Sequence, residues 1–180
     1  MKFLVGIFCF ALLSSCFIGI KKESVVLQNN DETNGDYIVC HWTSEEEPFF
    51  LNQIGDTIIP IGKYQHSFTD TIFSFGIVST GYKIHAINTF DSILFDVFIF
   101  DNGPDYINDG LFRIIRDGKI GYANERGEIV IQPQYQCAYP FENGKAQVAV
   151  NCTETIEFEM KKWESTEWIT IDKKGNVIKN

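Results

Sequence analysis

Three histidines, five cysteines and one acidic loop are the obvious candidates for chemistry in this 180-residue chain. His41, His66 and His85 stand singly, and none falls in H-E-x-x-H or another metal-binding spacing. Cys40 and His41 are adjacent, and neighbours on a strand face opposite sides, so a thiolate–imidazole pair is not expected there. No G-x-S-x-G elbow presents a serine nucleophile, and no glycine-rich loop is built to cradle phosphate. Asp101, Asn102, Asp105, Asn108 and Asp109 offer oxygen ligands of the kind that hard cations favour. Their spacing is not that of an EF-hand, and Asn102-Gly103-Pro104-Asp105 is ordinary turn chemistry. The sequence therefore assigns no catalytic residue, no metal ligand and no cofactor.

The cysteines speak of address instead. Met1-Lys2 is a short basic start, residues 3–13 are an apolar run, and Leu13-Ser14-Ser15-Cys16 follows. A charged start, a short apolar core and small residues at a cleavage point read as a signal peptide over residues 1–15. The tetrapeptide resembles the lipobox of bacterial lipoproteins, which implies a diacylglyceryl group on Cys16 and a mature chain that begins there. Two readings compete: a plain secretory signal, or an uncleaved apolar span over residues 3–20. The two serines near its middle argue against the span. Once Cys9 leaves with the signal, Cys40, Cys137 and Cys152 remain, with no C-x-x-C spacing. Cys40 reads as a small apolar strand residue. Cys137 and Cys152 flank Asn143-Gly144; a disulfide between them and two free thiols both stay open.

Composition bounds the rest. Hydrophobic residues make up 44% of the chain and aromatics 14%, with 16 Phe, enough apolar surface to offset the entropy of ordering a core. That palette suits a pleated sheet. The net charge of −9 and the absence of a Lys/Arg cluster exclude a phosphate-backbone footprint, so nucleic acid is not an expected partner. Residues 28–36 carry no apolar side chain, and residues 16–36 read as a lipidated N-terminus and flexible tether. Residues 37–180 remain for the domain.

Inside that domain the chain repeats. Asp117-Gly118 between two β-like runs is a two-residue hairpin signal, and Asn124-x-x-Gly127 is a wider turn. The unit at residues 110–131 thus reads strand, turn, strand, turn, strand. Sliding it by 36 places Asp91 on Gly127, and sliding again places Gly55 there. Asp172 and Gly175 repeat the turn after a step of 48, the excess of 12 pointing to an insertion at residues 153–164 that extends a hairpin or frays outward. A period of this size marks a repeat architecture, in which stacked units bury what one cannot. The expected fold is all-β: about four three-stranded antiparallel hairpin units in an open twisted array, with a small propeller-like closure as the alternative. The last unit, shortened after Asn180, reads as a cap. Asp91 is expected to mimic glycine at positive φ and to tolerate replacement by it. Glu45-Glu46-Glu47 aligns with Asp117-Gly118 and reads as a solvated hairpin turn.

Residues 118–135, with Ala138-Tyr139-Pro140-Phe141-Glu142-Asn143-Gly144-Lys145-Ala146, resemble a WG-repeat (KWG-type) protein. The resemblance covers residues 109–150 most closely, and Asp101 to Tyr106 also look like bacterial members. The naming dipeptide is half kept, as Ile120-Gly121 and Trp168-Ile169, so Ile120 is expected to pack where a Trp would stand. The resemblance implies a β-repeat fold and no defined activity. Asp56-Thr57-Ile58, Asp70-Thr71-Ile72 and Asp91-Ser92-Ile93 resemble an O-glycosylation signal of some Gram-negative envelopes; strand starts are the plainer reading. The expected function is a lipid-anchored, non-catalytic module of the bacterial cell envelope that binds a protein or a glycan. An accessory subunit of an envelope complex is the alternative, and a polysaccharide-acting enzyme the least favoured.

Overall fold

A computed structural model describes residues 36–157 and 160–179. Cys16, the signal peptide at residues 1–15 and the tether up to residue 35 lie outside the described residues. The domain belongs to one compact unit, Asn34–Asn180. All its regular elements among the described residues are strands, and every pairing is antiparallel.

The first unit is β1 (Ile38–Trp42), β2 (Pro48–Asn52) and β3 (Thr57–Ile59); the short β4 (His66–Ser67) and β5 (Thr71–Ile72) follow. The second is β6 (Gly76–Ser79), β7 (Ile84–Ile87) and β8 (Ile93–Val97), followed by the β9 (Ile99–Phe100) and β10 (Gly103–Pro104) ribbon. The third is β11 (Leu111–Arg116), β12 (Lys119–Asn124) and β13 (Ile129–Tyr135), then β14 (Cys137–Ala138). The fourth pairs β15 (Lys145–Ala149) with β18 (Ile169–Asp172), and Ile171 bridges Val177 as its third-strand remnant. Between them stands the inserted ribbon of β16 (Thr153–Glu157) and β17 (Met160–Glu164), so the extra residues form a hairpin of their own.

Sheet order is β3-β2-β1-β5, β13-β12-β11-β8-β7-β6-β4 and β14-β15-β18, and no sheet closes on itself. The array is open rather than a propeller. Its 36-residue period is visible in the hydrogen bonding. Phe50↔Ile59, Ala86↔Phe95 and Tyr122↔Ile131 are equivalent pairs, each followed by the same one-residue bulge. The turns agree: Gly55, Asp91, Gly127 and Gly175 have φ of 91°, 62°, 77° and 84°. In each turn the leading Asn52, Asn88, Asn124 or Asp172 accepts, through Oδ1, two backbone N–H bonds from within the turn. The turn is therefore held by its first side chain as much as by its glycine.

One turn differs from expectation. Glu45-Glu46-Glu47 does not form a two-residue hairpin like Asp117-Gly118. Thr43 N donates to Glu47 O and Glu46 N to Thr43 O, the bonding of the wider turn, with Thr43 Oγ1 in the place of the Asn oxygen and Glu46 at φ 61°. The extra residue lets a non-glycine chain reverse, with Glu45 and Glu46 exposed and Glu47 half-buried.

Cores form between successive units. Ile38, Phe50, Ile59 and Ile72 meet Val78 and Ile87. Ile84, Ala86, Phe95 and Val97 meet Phe112, Ile114 and Ala123. Leu111, Ile120, Tyr122 and Ile131 meet Ala146, Val148 and Ile171. Middle strands thus lie between two cores, which is why Ile84, His85, Ala86 and Ile87 are all buried. Ile120 occupies its expected core position. Gly121 is required by close approach, because a Cβ there would sit 2.4 Å from Ile131 O and 2.6 Å from Pro133 N, where β13 arches over β12.

Candidate functional site: an aromatic groove closed by the inserted hairpin

The second and third units join where β8 meets β11, through Val97↔Ile114 and Asp96↔Ile115. Beyond these pairs the strands part, and Arg116 Nη2 donates to Leu94 O at 2.9 Å in place of a backbone partner. A groove of about 1710 Å³ lies over this junction. Leu94, Asp96, Phe98, Arg113 and Ile115 line it from the two strands and the residue after β8. The tip of the β9–β10 ribbon (Phe100, Asp101, Asn102) and Tyr139 line it as well. Trp163 and Glu154 come from the inserted hairpin.

Trp163 is placed by aromatic packing. Its ring meets Phe98 edge-on at 5.9 Å and Tyr139 at 5.5 Å, and Tyr139 in turn meets Trp168 at 5.2 Å. Its Nε1 donates to Glu154 Oε2 at 3.4 Å. The root of the insertion is fastened by a Cys137–Cys152 disulfide with Cα atoms 5.9 Å apart, and Trp163 and Trp168 pack on that corner. In repeat proteins, insertions of this sort gather on one face, often the binding face.

Beneath the ribbon lies a buried ion pair. Arg113 donates from Nε and Nη2 to the two carboxylate oxygens of Asp105, whose Oδ2 also accepts Arg113 N at 2.8 Å. Arg113 Nη1 reaches Ala138 O at 3.3 Å, and the guanidinium stacks 4.0 Å from the Phe98 centroid. Arg113 is 3% exposed, although the alternation Phe112-Arg113-Ile114 reads as an outward side chain. A bidentate partner and three further contacts offset the cost of desolvating both charges. The signal in the sequence was a lone Arg amid apolar neighbours, eight residues from an Asp in a tight loop.

The acidic loop does not converge. Asp105 serves Arg113, Asp109 Oδ2 accepts Gly144 N at 2.7 Å, Asn108 Nδ2 donates to Tyr106 O, and Asp101 and Asn102 are the φ-positive tip of the ribbon. Among the described residues, no group of three His, Cys, Asp or Glu side chains is arranged to hold a metal ion.

His85 stands where Gly121 stands one unit later, 36 residues on. It is buried between Thr80 Oγ1, 2.9 Å from Nε2, and Asp96 Oδ1, 2.8 Å from Nδ1. Lys83 Nζ holds the other Asp96 oxygen at 2.9 Å. Burial works upward on Asp96, but the hydrogen bonds and charges of Lys83 and His85 prevail and hold its carboxyl below the usual range. The Thr80–His85–Asp96 chain satisfies a buried imidazole and braces β6, β7 and β8; Thr80 does not line the groove. His41 stacks on Phe49 at 5.4 Å, and His66 meets Trp42 at a tilt with ring centroids 5.3 Å apart. Cys40 is half-buried against the first core, and burial pushes its thiol up. Thr57 and Ser92 are exposed, whereas Thr71 is half-buried and pairs with Val39.

Known proteins add one finding. A family model described as WG containing repeat matches residues 120–151, from β12 through β15. No curated protein and no solved structure matches the chain. The matched segment starts at Ile120-Gly121 and runs through the crossing into the fourth unit. Over these residues the chain is similar to a WG-type β-repeat.

Proposed function

We propose that this chain is an exported, lipid-anchored, non-catalytic module of the bacterial cell envelope, which binds a protein or glycan in the groove between its second and third units. The observation that carries the reading is the insertion: the one hairpin that breaks the 36-residue period brings Trp163 to the groove. A solvent-facing concavity lined by aromatic side chains on a rigid sheet is what recognition of an extended ligand requires. Export is supported by the Cys137–Cys152 disulfide, because such bonds persist in oxidising compartments and are rare where glutathione keeps thiols reduced. Anchoring rests on Leu13-Ser14-Ser15-Cys16.

Two experiments test the two halves. Cys16→Ala should abolish labelling by a palmitate analogue and leave an uncleaved precursor; labelling that persists removes the anchor. A pull-down from membranes with the intact chain should recover a partner that Trp163→Ala releases. Recovery that ignores the Trp163 change removes the groove from the proposal.

A further inference from the structure

The charges around the groove point to the chemistry of its occupant. Two of the three cations that line it are neutralised, Arg113 by Asp105 and Lys83 by Asp96, while Arg116 keeps its charge and gives one donor to Leu94 O. At the rim stand Asp101, at the tip of the β9–β10 ribbon, and Asp117, at the β11–β12 turn. Both are exposed, and neither has an ion-pair or side-chain hydrogen-bond partner among the described residues. The chain as a whole carries −9. What the groove offers a ligand is therefore carboxylate and aromatic face together. Phe100, Tyr139 and Tyr82 are 48%, 40% and 96% exposed along it. A cation attracted by such rings gains from their quadrupole and from the nearby carboxylates at once. The groove floor already contains one such contact, Arg113 over Phe98.

Resting on the reading of the groove as a binding site, we infer that its occupant is an extended protein segment in which lysine or arginine alternates with apolar side chains. Apolar side chains would lie on Leu94, Phe98 and Ile115, and the cationic ones would reach Asp101 and Asp117. An acidic segment meets two unpaired like charges, and a neutral sugar leaves the rim carboxylates without a counter-ion.

The test uses the full-length chain in a nonionic detergent, with the hexapeptides (Lys-Phe)₃ and (Glu-Phe)₃ and a neutral glucan hexasaccharide as probes. Binding is read by titration calorimetry and by tryptophan fluorescence. (Lys-Phe)₃ should bind saturably, (Glu-Phe)₃ should not, and added salt should weaken the complex. The Asp101→Asn/Asp117→Asn double variant keeps residues that tolerate positive φ, so it leaves the turns intact. It should weaken (Lys-Phe)₃ binding by about fivefold, the scale of two partly exposed ion pairs. Trp163→Ala should weaken it as well. Equal binding of the two peptides, or no effect of the double variant, overturns the inference of a cationic partner. Trp163-dependent binding of the hexasaccharide alone overturns it too, while leaving the groove as the site. Failure of every probe also overturns it, and the membrane pull-down with Trp163→Ala then judges the groove separately.

Discussion

The Tyr64 hydroxyl donates a 2.8 Å hydrogen bond to the Asp91 carboxylate, tying the chain after the first unit to the turn of the second. Tyr64 is 3% exposed. Burial first, then this bond to an ionised acceptor, pushes its phenol up. Lys63 pairs with the same carboxylate. Asp91 is thus more than a stand-in for glycine at φ 62°, and its two partners argue against the expectation that glycine is tolerated there. Asp91→Gly relieves Cβ strain of about 1 kcal/mol. It also strands the phenol of a buried residue, at a cost of about 1–3 kcal/mol. The expected net result in chemical denaturation is destabilisation. Adding Tyr64→Phe should recover part of the loss, and a neutral Asp91→Gly would contradict the link.

Gly127 and Gly55 occupy the same turn with different neighbours. A Cβ at Gly127 would lie 2.6 Å from Phe75 Cδ1, whereas one at Gly55 meets nothing within 4 Å. Both carry positive φ, so Gly→Ala strains each by roughly 1–2 kcal/mol. Gly127→Ala should cost about 1 kcal/mol more, because one unit must move off the next. Equal losses at the two positions would mean that the third unit does not press on Phe75 in solution.

Asp96 supplies a pH signature. Its folded carboxyl titrates below the ordinary range, so its stabilisation is complete above the ordinary carboxylate value, near pH 4, and is lost as pH falls through the folded one. The stability gap between the native chain and Asp96→Asn should shrink as pH falls from about 5 to about 3. A gap that holds or widens over that acid range would contradict the pairing that lowers the Asp96 carboxyl.

The Cys137–Cys152 bond closes a loop with a sequence separation of 15, for which chain entropy gives about 3 kcal/mol. Reductant should lower the denaturation midpoint of the native chain and leave Cys137→Ser/Cys152→Ser unchanged. A native chain indifferent to reductant would place the bond outside the stability of the domain.

The repeat was legible because its turns are local chemistry: Asn124, Gly127, Asp172 and Gly175 announce themselves within five residues. The all-β class was legible for the same reason. Arg113 and Asp105 were not, because alternation along a strand shows which residues share a face and not whether both faces are covered. A middle strand between two cores breaks the rule that polar means outward. The turn at Thr43 was hidden by its threonine, which performs the work of the Asn seen elsewhere. Trp163 lay within a stretch read as an insertion, and what it packs against depends on Phe98 and Tyr139, far along the chain. The disulfide stayed open because two cysteines in sequence do not reveal a Cα separation.

The groove itself is the central claim, and site-specific photo-crosslinking in cells reaches it most directly. A benzophenone side chain would replace Phe100, which is 48% exposed in the groove, or Phe73, which is 69% exposed and outside it. Illumination should give a discrete higher-mass adduct from position 100 and none from position 73, and Trp163→Ala should abolish it. Adducts from position 73 alone, or adducts from position 100 that persist without Trp163, would contradict the account.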